Sequence, residues 1–325
     1  MRLYKKAAAC LLTAAMALSM LTACGGGGTG GNGGNGGNTL PDDPDQIVLP
    51  DPGEGGGAGG GEGGGEGTET KPTKTPIADV HSSKLAKFNE KYAGATEFYL
   101  EAQMIEYDEN GSVEHSGDQR VAAKGNNAYM KMTLSVKNQK QQSVEQLMLK
   151  EGDYNNNYRL FSDSKVAVRT NSDKSESDDN ISLGNLITEK LPSQMWSTEV
   201  KVGPTKYYAE VYNTYSYEYT ICFTADGKPV YRFARILNEK QLESATLYKT
   251  IQAGSGTSKG LCRIPTGFKT YSYDFRTDTI TDANGNMFAI ETNNKGDVTS
   301  VKDNTGKDVT DDFKWVYDLF NNMYE

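Results

Sequence analysis

The chain has 325 residues, a formal net charge of -9 and a pI of about 5.0. Its 36 glycines fall mostly before Thr68, so the foldable length suits one large domain, or one with a small appendage. The acidic balance excludes an electrostatic nucleic-acid binder, and it excludes docking on anionic headgroups through surface charge.

Arg2, Lys5 and Lys6 precede an apolar run from Ala7 to Met20. That run has the length of a signal-peptide core, ~7 to 15 residues, and falls short of the ~20 that span a bilayer. It ends in Leu21-Thr22-Ala23-Cys24, which resembles the lipobox of bacterial lipoproteins; a secretory signal followed by a chance cysteine is the alternative. The resemblance implies cleavage between Ala23 and Cys24, a diacylglycerol with acyl chains such as palmitate on the Cys24 thiol, and a place on the outer, extracytoplasmic face of a cell membrane. Membrane lipid is then the first partner. Two or more chains, at ~0.8 kcal/mol per buried CH₂, anchor lastingly where one is marginal.

Residues 1–23 are thus read as signal and residues 24–76 as a Gly-rich tether. The tether includes Gly55-Gly56-Gly57 and has too few apolar side chains to offset the entropy of ordering. As a flexible coil its ~50 residues reach ~40 Å. Thr75-Pro76 reads as a helix start, Leu85, Phe88 and Tyr92 recur at helical spacing, and Gly94 stands where the helix stops.

The pattern then changes to period two. Phe98, Leu100, Ala102 and Met104 alternate with Tyr99, Glu101 and Gln103, and Asn110-Gly111 marks a turn into a strand over 115–124. Further strands are predicted over 128–136, 144–150, 158–162 and 165–170. Leu183, Leu186, Ile187 and Leu191 then predict a short helix ended by Pro192. Strands resume over 206–212, 215–223, 230–237, 242–251 and 268–275, with Asp226-Gly227 as a turn between two of them. Residues 276–325 read as short hairpins at Asn284-Gly285, Gly296 and Gly306, then a helix with Phe313, Val316, Tyr317 and Phe320 on one face. No internal repeat stands out.

The order of helix, meandering strands, helical interruption and second strand set, carried by 98–107, Gly125-Asn126-Asn127-Ala128-Tyr129-Met130-Lys131-Met132, 183–191 and 215–230, resembles the LolA/LppX-like lipid and lipoprotein carriers. The likeness is one of pattern and covers residues 77–275. It implies a mainly β, α+β fold in which an incomplete antiparallel β-barrel has helices across its open side, enclosing an apolar cavity for acyl chains. Residues 276–325 would be an appended hairpin and helix extension. No functional residue transfers from the family, because its cavity is defined by shape.

Met104, Met130, Met132 and Met148 are the candidate ligand-binding residues, because unbranched polarizable side chains suit a cavity that adapts to varied chains; ordinary core packing is the competing reading. A tight hairpin at Asn213-Thr214 would set Tyr208 opposite Tyr219 and Tyr212 opposite Tyr215, with Tyr217 on the same face. That row could stack on sugar rings or simply stabilise the sheet. Asp282-Ala283-Asn284-Gly285 with Glu291 suggests a calcium loop, but Ile280 stands where the first acidic ligand belongs, so a hairpin turn is expected.

Two histidines, His81 and His115, give a triad few candidates, and neither has metal-ligand spacing with a cysteine. The expectation is a non-enzymatic lipoprotein without cofactor that binds or transfers an acyl lipid or the lipid moiety of another lipoprotein. The alternative is a cell-wall, glycan-binding or adhesion lipoprotein using the tyrosine hairpin. Outside the cytoplasm Cys222 and Cys262 are free either to pair or to remain thiols.

Overall fold

The computed structural model describes residues 40–50 apart from 42 and 43, residues 72–174 apart from 93 and 137–140, residues 183 and 187, and residues 191–321. The signal segment and Cys24 lie outside these, as do most of the residues between Ser182 and Leu191. Within the described residues the protein is mainly β with few helices, an α+β chain built on one large open sheet.

In chain order the elements are β1 (Ile47–Val48), β2 (Thr75–Pro76), α1 (Lys84–Tyr92), β3 (Glu97–Tyr107), β4 (Val113–Lys124), β5 (Asn127–Val136), β6 (Gln142–Glu151), β7 (Tyr154–Phe161) and β8 (Val166–Lys174). There follow β9 (Trp196–Val202), β10 (Thr205–Asn213), β11 (Tyr217–Phe223), β12 (Pro229–Ile236), β13 (Ser244–Ala253), β14 (Lys269–Asp274), β15 (Thr279–Asp282), β16 (Met287–Thr292), β17 (Val298–Asp303) and α2 (Trp315–Asn321). Short 3-10 turns precede β1, α1 and α2.

Hairpins link β3 through β8 and β9 through β13, and the two runs join where β13 pairs with β3. β8 then takes β14 as a parallel neighbour, and β15, β16 and β17 extend the sheet by hairpins. The edges are β17 and the pair β1 and β2, both on β9. The sheet is therefore much larger than a small half-barrel, and residues 276–325 continue it. The expected boundary after 275 falls inside the β14–β15 hairpin.

Alternation decides the faces. Phe98, Leu100 and Ala102 of β3 join Val121, Met130, Ile221 and Tyr248 in a cluster that includes Leu85, Phe88 and Tyr92 of α1, with Leu183, Ile187 and Met195. Both Leu183 and Ile187 are helical and buried. The opposite face carries two clusters. Ile105, Cys222, Phe233 and Leu247 are covered by Leu40 and Ile47, and Tyr99, Tyr129, Leu147 and Leu160 are covered by Leu261, Cys262 and Ile264. A fourth cluster gathers Val166 and Val168 of β8 with Ile280, Val301, Phe313, Trp315 and Leu319.

Two expectations are corrected at the N-terminal end. Thr75-Pro76 is a strand, and helix α1 starts only at Lys84, after Ser83, whose hydroxyl accepts the Ala86 N–H at 3.0 Å. The tether expected to run unbroken to residue 76 is also docked within its span. Leu40 and Ile47 are buried, the Tyr107 hydroxyl donates to the Pro41 carbonyl at 3.1 Å, and β1 pairs with Val202 and Lys201. Continuing the β1 register would put residue 52 opposite Ser197, yet Thr75 stands there. β1 and β2 are one edge strand interrupted by an insertion.

That interruption is closed by an ionic cluster. Glu218, fully buried, meets Lys74 Nζ at 2.6 Å and Arg235 Nε at 2.8 Å, and Arg235 also donates to the Pro50 carbonyl at 2.7 Å. Lys74 is thus tied to the Glu218 carboxylate and Pro50 to its partner Arg235.

Candidate ligand-binding face

The four methionines chosen from the sequence belong to one large cluster, with Met104 and Met148 at different places in it. Met130 and Met132 of β5 are 3% and 4% exposed, and Met104 of β3 and Met148 of β6 pack against the same cluster while keeping part of their surface. They share the face that carries α1.

Helix α1 is held there by packing and one polar clasp. Its first N–H groups lack intrahelical acceptors, and the fully buried Glu210 of β10 takes two of them, from Lys84 at 2.7 Å and Leu85 at 2.9 Å. A carboxylate at a helix N-terminus is also favoured by the helix dipole. The Tyr208 hydroxyl donates to Glu210 at 3.0 Å, and its ring lies 4.9 Å from Lys84 Nζ. Burial and the neighbouring Glu210 carboxylate push the Tyr208 phenol up.

The tyrosine hairpin differs from expectation. Tyr212 faces Tyr219, and Tyr208 faces Phe223. The turn falls at Tyr215-Ser216 because Thr214 pairs with Tyr217, its N–H reaching the Tyr217 carbonyl at 2.8 Å and its hydroxyl accepting the Tyr217 N–H at 3.2 Å. Tyr215 is left alone at the tip, 100% exposed. Tyr212, Tyr219 and Tyr217 do form a series, with centroids 5.3 and 5.9 Å apart. Tyr212 is buried, Tyr217 and Tyr219 are half-buried, Tyr208 is 40% exposed, and the series belongs to the helix-bearing face.

Arg232, which the sequence reading passed over, stands on this face beside Ile221 of β11 and Thr246 of β13, and Thr246 in turn faces Met104. Its guanidinium lies 4.4 Å from the Tyr219 ring centroid and within hydrogen-bonding reach of the Tyr219 and Tyr248 hydroxyls. Burial works against its charge, and the phenols of Tyr248, Tyr212 and Tyr219 outweigh that effect, so it stays a cation. Among the described residues it has no carboxylate partner. Arg232, Tyr219, Thr246 and Met104 each remain partly exposed.

The remaining candidates do not form sites. His81 is exposed in the turn before α1, and His115 is buried with Nδ1 3.3 Å from Glu106. Cys222 and Cys262 are both buried free thiols in different clusters, so they do not pair. Burial raises both, Cys262 to about 12. Asp282 caps the turn to β16, accepting the N–H groups of Asn284 and Asn286 at 2.8 and 2.9 Å. Asn293 and Asp303 do the same at the next turns. No group of three or more His, Cys, Asp or Glu able to hold a metal occurs among the described residues, and no described helix is long and apolar enough to cross a membrane.

The fold defines a mainly β, α+β protein with one large open sheet. No family model and no curated protein matches the chain. Among solved structures, an uncharacterized conserved protein from Thermus thermophilus is similar at a TM-score of 0.30 and 13% identity, covering 55% of this chain and 91% of its own.

Proposed function

We propose that the chain is an exported lipoprotein, cut before Cys24 and lipid-anchored there on the outer face of a membrane. In this reading the run from β9 through β13 and β3 to β8 acts as an incomplete barrel that binds or carries an acyl chain. The observation that carries the reading is the helix-bearing face. Methionines from three strands meet a helix held by apolar contacts and the Glu210 clasp, and Met104 and Met148 stay partly open. Moving α1 aside would offer an acyl chain apolar surface worth ~25 cal/mol per Å² buried.

Binding rather than catalysis is supported by the side chains themselves. Burial keeps both thiols protonated, which withholds the thiolate that a nucleophile needs. The docking of Leu40 also shortens the tether. In this reading the span from the anchor to the first docked residue runs only from Cys24 to Leu40.

Two measurements test this. Labelled palmitate should enter the full chain expressed in a bacterium and fail to enter a Cys24→Ser variant. The mature Cys24→Ser chain should carry co-purified acyl lipid in native mass spectrometry and take up a fluorescent fatty acid. A chain that arrives empty and takes up none counts against the carrier reading.

A further inference from the structure

Three candidates stand out beyond that reading: the buried Lys74, Glu218 and Arg235 cluster, the exposed tip at Tyr215, and Arg232. The first consists of two cations bonded to one carboxylate that they share, and the second is a single ring. Arg232 is different.

We propose that Arg232, with the hydroxyls of Tyr219 and Tyr248 and the flanking Tyr212, is a head-group site that selects acyl ligands ending in an oxyanion, a carboxylate or a phosphate. The proposal rests on the acyl-binding reading of this face and deepens it. A guanidinium removed from bulk water needs an anion or a full set of acceptors. Arg235, three residues along the same strand, has both, in Glu218 and the Pro50 carbonyl. Arg120 has Glu101 at 3.2 Å. Arg232 has one ring and phenolic oxygens. A guanidinium presents five donors in a planar fork suited to two oxygens of one anion, so part of that fork is left for a ligand.

The position suits a head group. Arg232 is partly exposed, as are Tyr219 and Thr246 beside it, so an anion can reach it. Thr246 links Arg232 to Met104 across the sheet, and the row continues through Gly117 to Leu134 of β5, two residues from Met132, and to Gln142 of β6. From β12 to β6 there are five interstrand steps, about 24 Å at ~4.8 Å each. A long acyl chain with its head at Arg232 would run along that row past Met104 and Met132.

The test titrates the mature Cys24→Ser chain with palmitate, methyl palmitate and lysophosphatidic acid. Palmitate, lysophosphatidic acid or both should bind at least tenfold more tightly than the uncharged ester, and the tighter acid identifies a carboxylate or a phosphate site. Arg232→Met should reduce the acids to the ester's affinity and leave the ester unchanged. Arg232→Lys should restore part of the difference, and Tyr219→Phe should lower it while keeping the ring. Equal binding of acids and ester by the unmutated site overturns the head-group proposal and leaves the acyl reading standing. No binding of any of the three overturns both. An Arg232→Met variant that melts as the parent does yet weakens all three ligands equally makes Arg232 a packing residue and also overturns the proposal.

Discussion

The two faces of β12 treat the same side chain in opposite ways. On one, Arg235 is buried, bonded to Glu218 and to the Pro50 carbonyl, with Lys74 on the same carboxylate. On the other, Arg232 meets aromatic rings and hydroxyls and stays partly open. The first arrangement fixes structure, because it staples both ends of a long insertion to the sheet. Among the described residues the second offers Arg232 no carboxylate, which is what the head-group proposal rests on. The chain saturates its charges where it must hold together and leaves them short where α1 and the methionines gather.

Breaking the saturated face should have the largest effect. Glu218→Ala leaves two buried cations without their carboxylate, and removing one partner of a buried pair costs ~3 to 5 kcal/mol. Urea denaturation should show that loss, and proteolysis should become faster near Pro50 and Lys74. A loss below ~1 kcal/mol would mean that the cluster does not close the edge strand.

Glu210→Ala addresses the helix-bearing face and should cost about 2 to 3 kcal/mol, the range for hydrogen bonds to a charged group. Its signature is local. In hydrogen exchange, amides of α1 should lose protection while those of β3, β4 and β5 keep theirs. Uniform loss across all of these would show that the helix is not separately released, and α1 would then be an unsuitable gate.

How much of this contrast could be read from the sequence depends on the range of the interactions. Local signals were clear: Asn110-Gly111, Asp226-Gly227 and Asn284-Gly285 all lie in hairpin turns, where Gly111, Gly227 and Gly285 take positive φ. Period two revealed most strands, although β9 was missed despite Trp196, Thr198, Val200 and Val202 alternating with Ser197, Glu199 and Lys201. Pro192 and the preceding helical spacing drew attention from it. The recurrence of an Asx residue followed three positions later by glycine at 282, 293 and 303 was also present, but its meaning lies in the side-chain bonds that close each turn.

Other features were illegible because their partners are distant in the chain. β1 and β2 are two residues each and exist only through β9. The β13–β3 junction brings together residues about 140 apart. Arg232, between buried Tyr231 and Phe233, reads locally as the solvated position of an alternating strand. Only the strands on either side turn that position toward three tyrosines.

A pH titration probes the opposite face more gently. The folded thiols of Cys222 and Cys262 hold their protons above the ordinary value of 9.0, Cys262 up to about 12. For a group raised in the folded state, stability is fully present below the unfolded value and falls as pH rises above it. The loss should begin near pH 9 and proceed at up to ~1.4 kcal/mol per pH unit for each thiol. Replacing Cys262 by Ala should reduce that slope in denaturation curves between pH 9 and 11. In native protein at pH 8 both thiols should resist iodoacetamide, and both should react once unfolded. Rapid labelling of Cys262 in the native state would show that the segment over Tyr99 and Tyr129 opens readily.

Tyr215 gives the smallest effect and the sharpest test of the sugar-binding alternative. Its ring touches nothing that would stabilise the fold, so Tyr215→Ala should change stability by less than ~0.5 kcal/mol. Tyr212, buried four residues from the turn centre in the same hairpin, should cost several times more when truncated to Ala, since it packs against Tyr219 at 5.3 Å. If the hairpin recognised glycans, the exposed ring would matter to binding and the buried one chiefly to folding. Pull-down on purified cell wall with Tyr215→Ala and its parent separates the cases. Unchanged retention is expected, because one ring at a tip offers no platform. A marked loss caused by Tyr215→Ala alone would favour the glycan-binding alternative, at the rim of the sheet, over the proposed acyl-binding face.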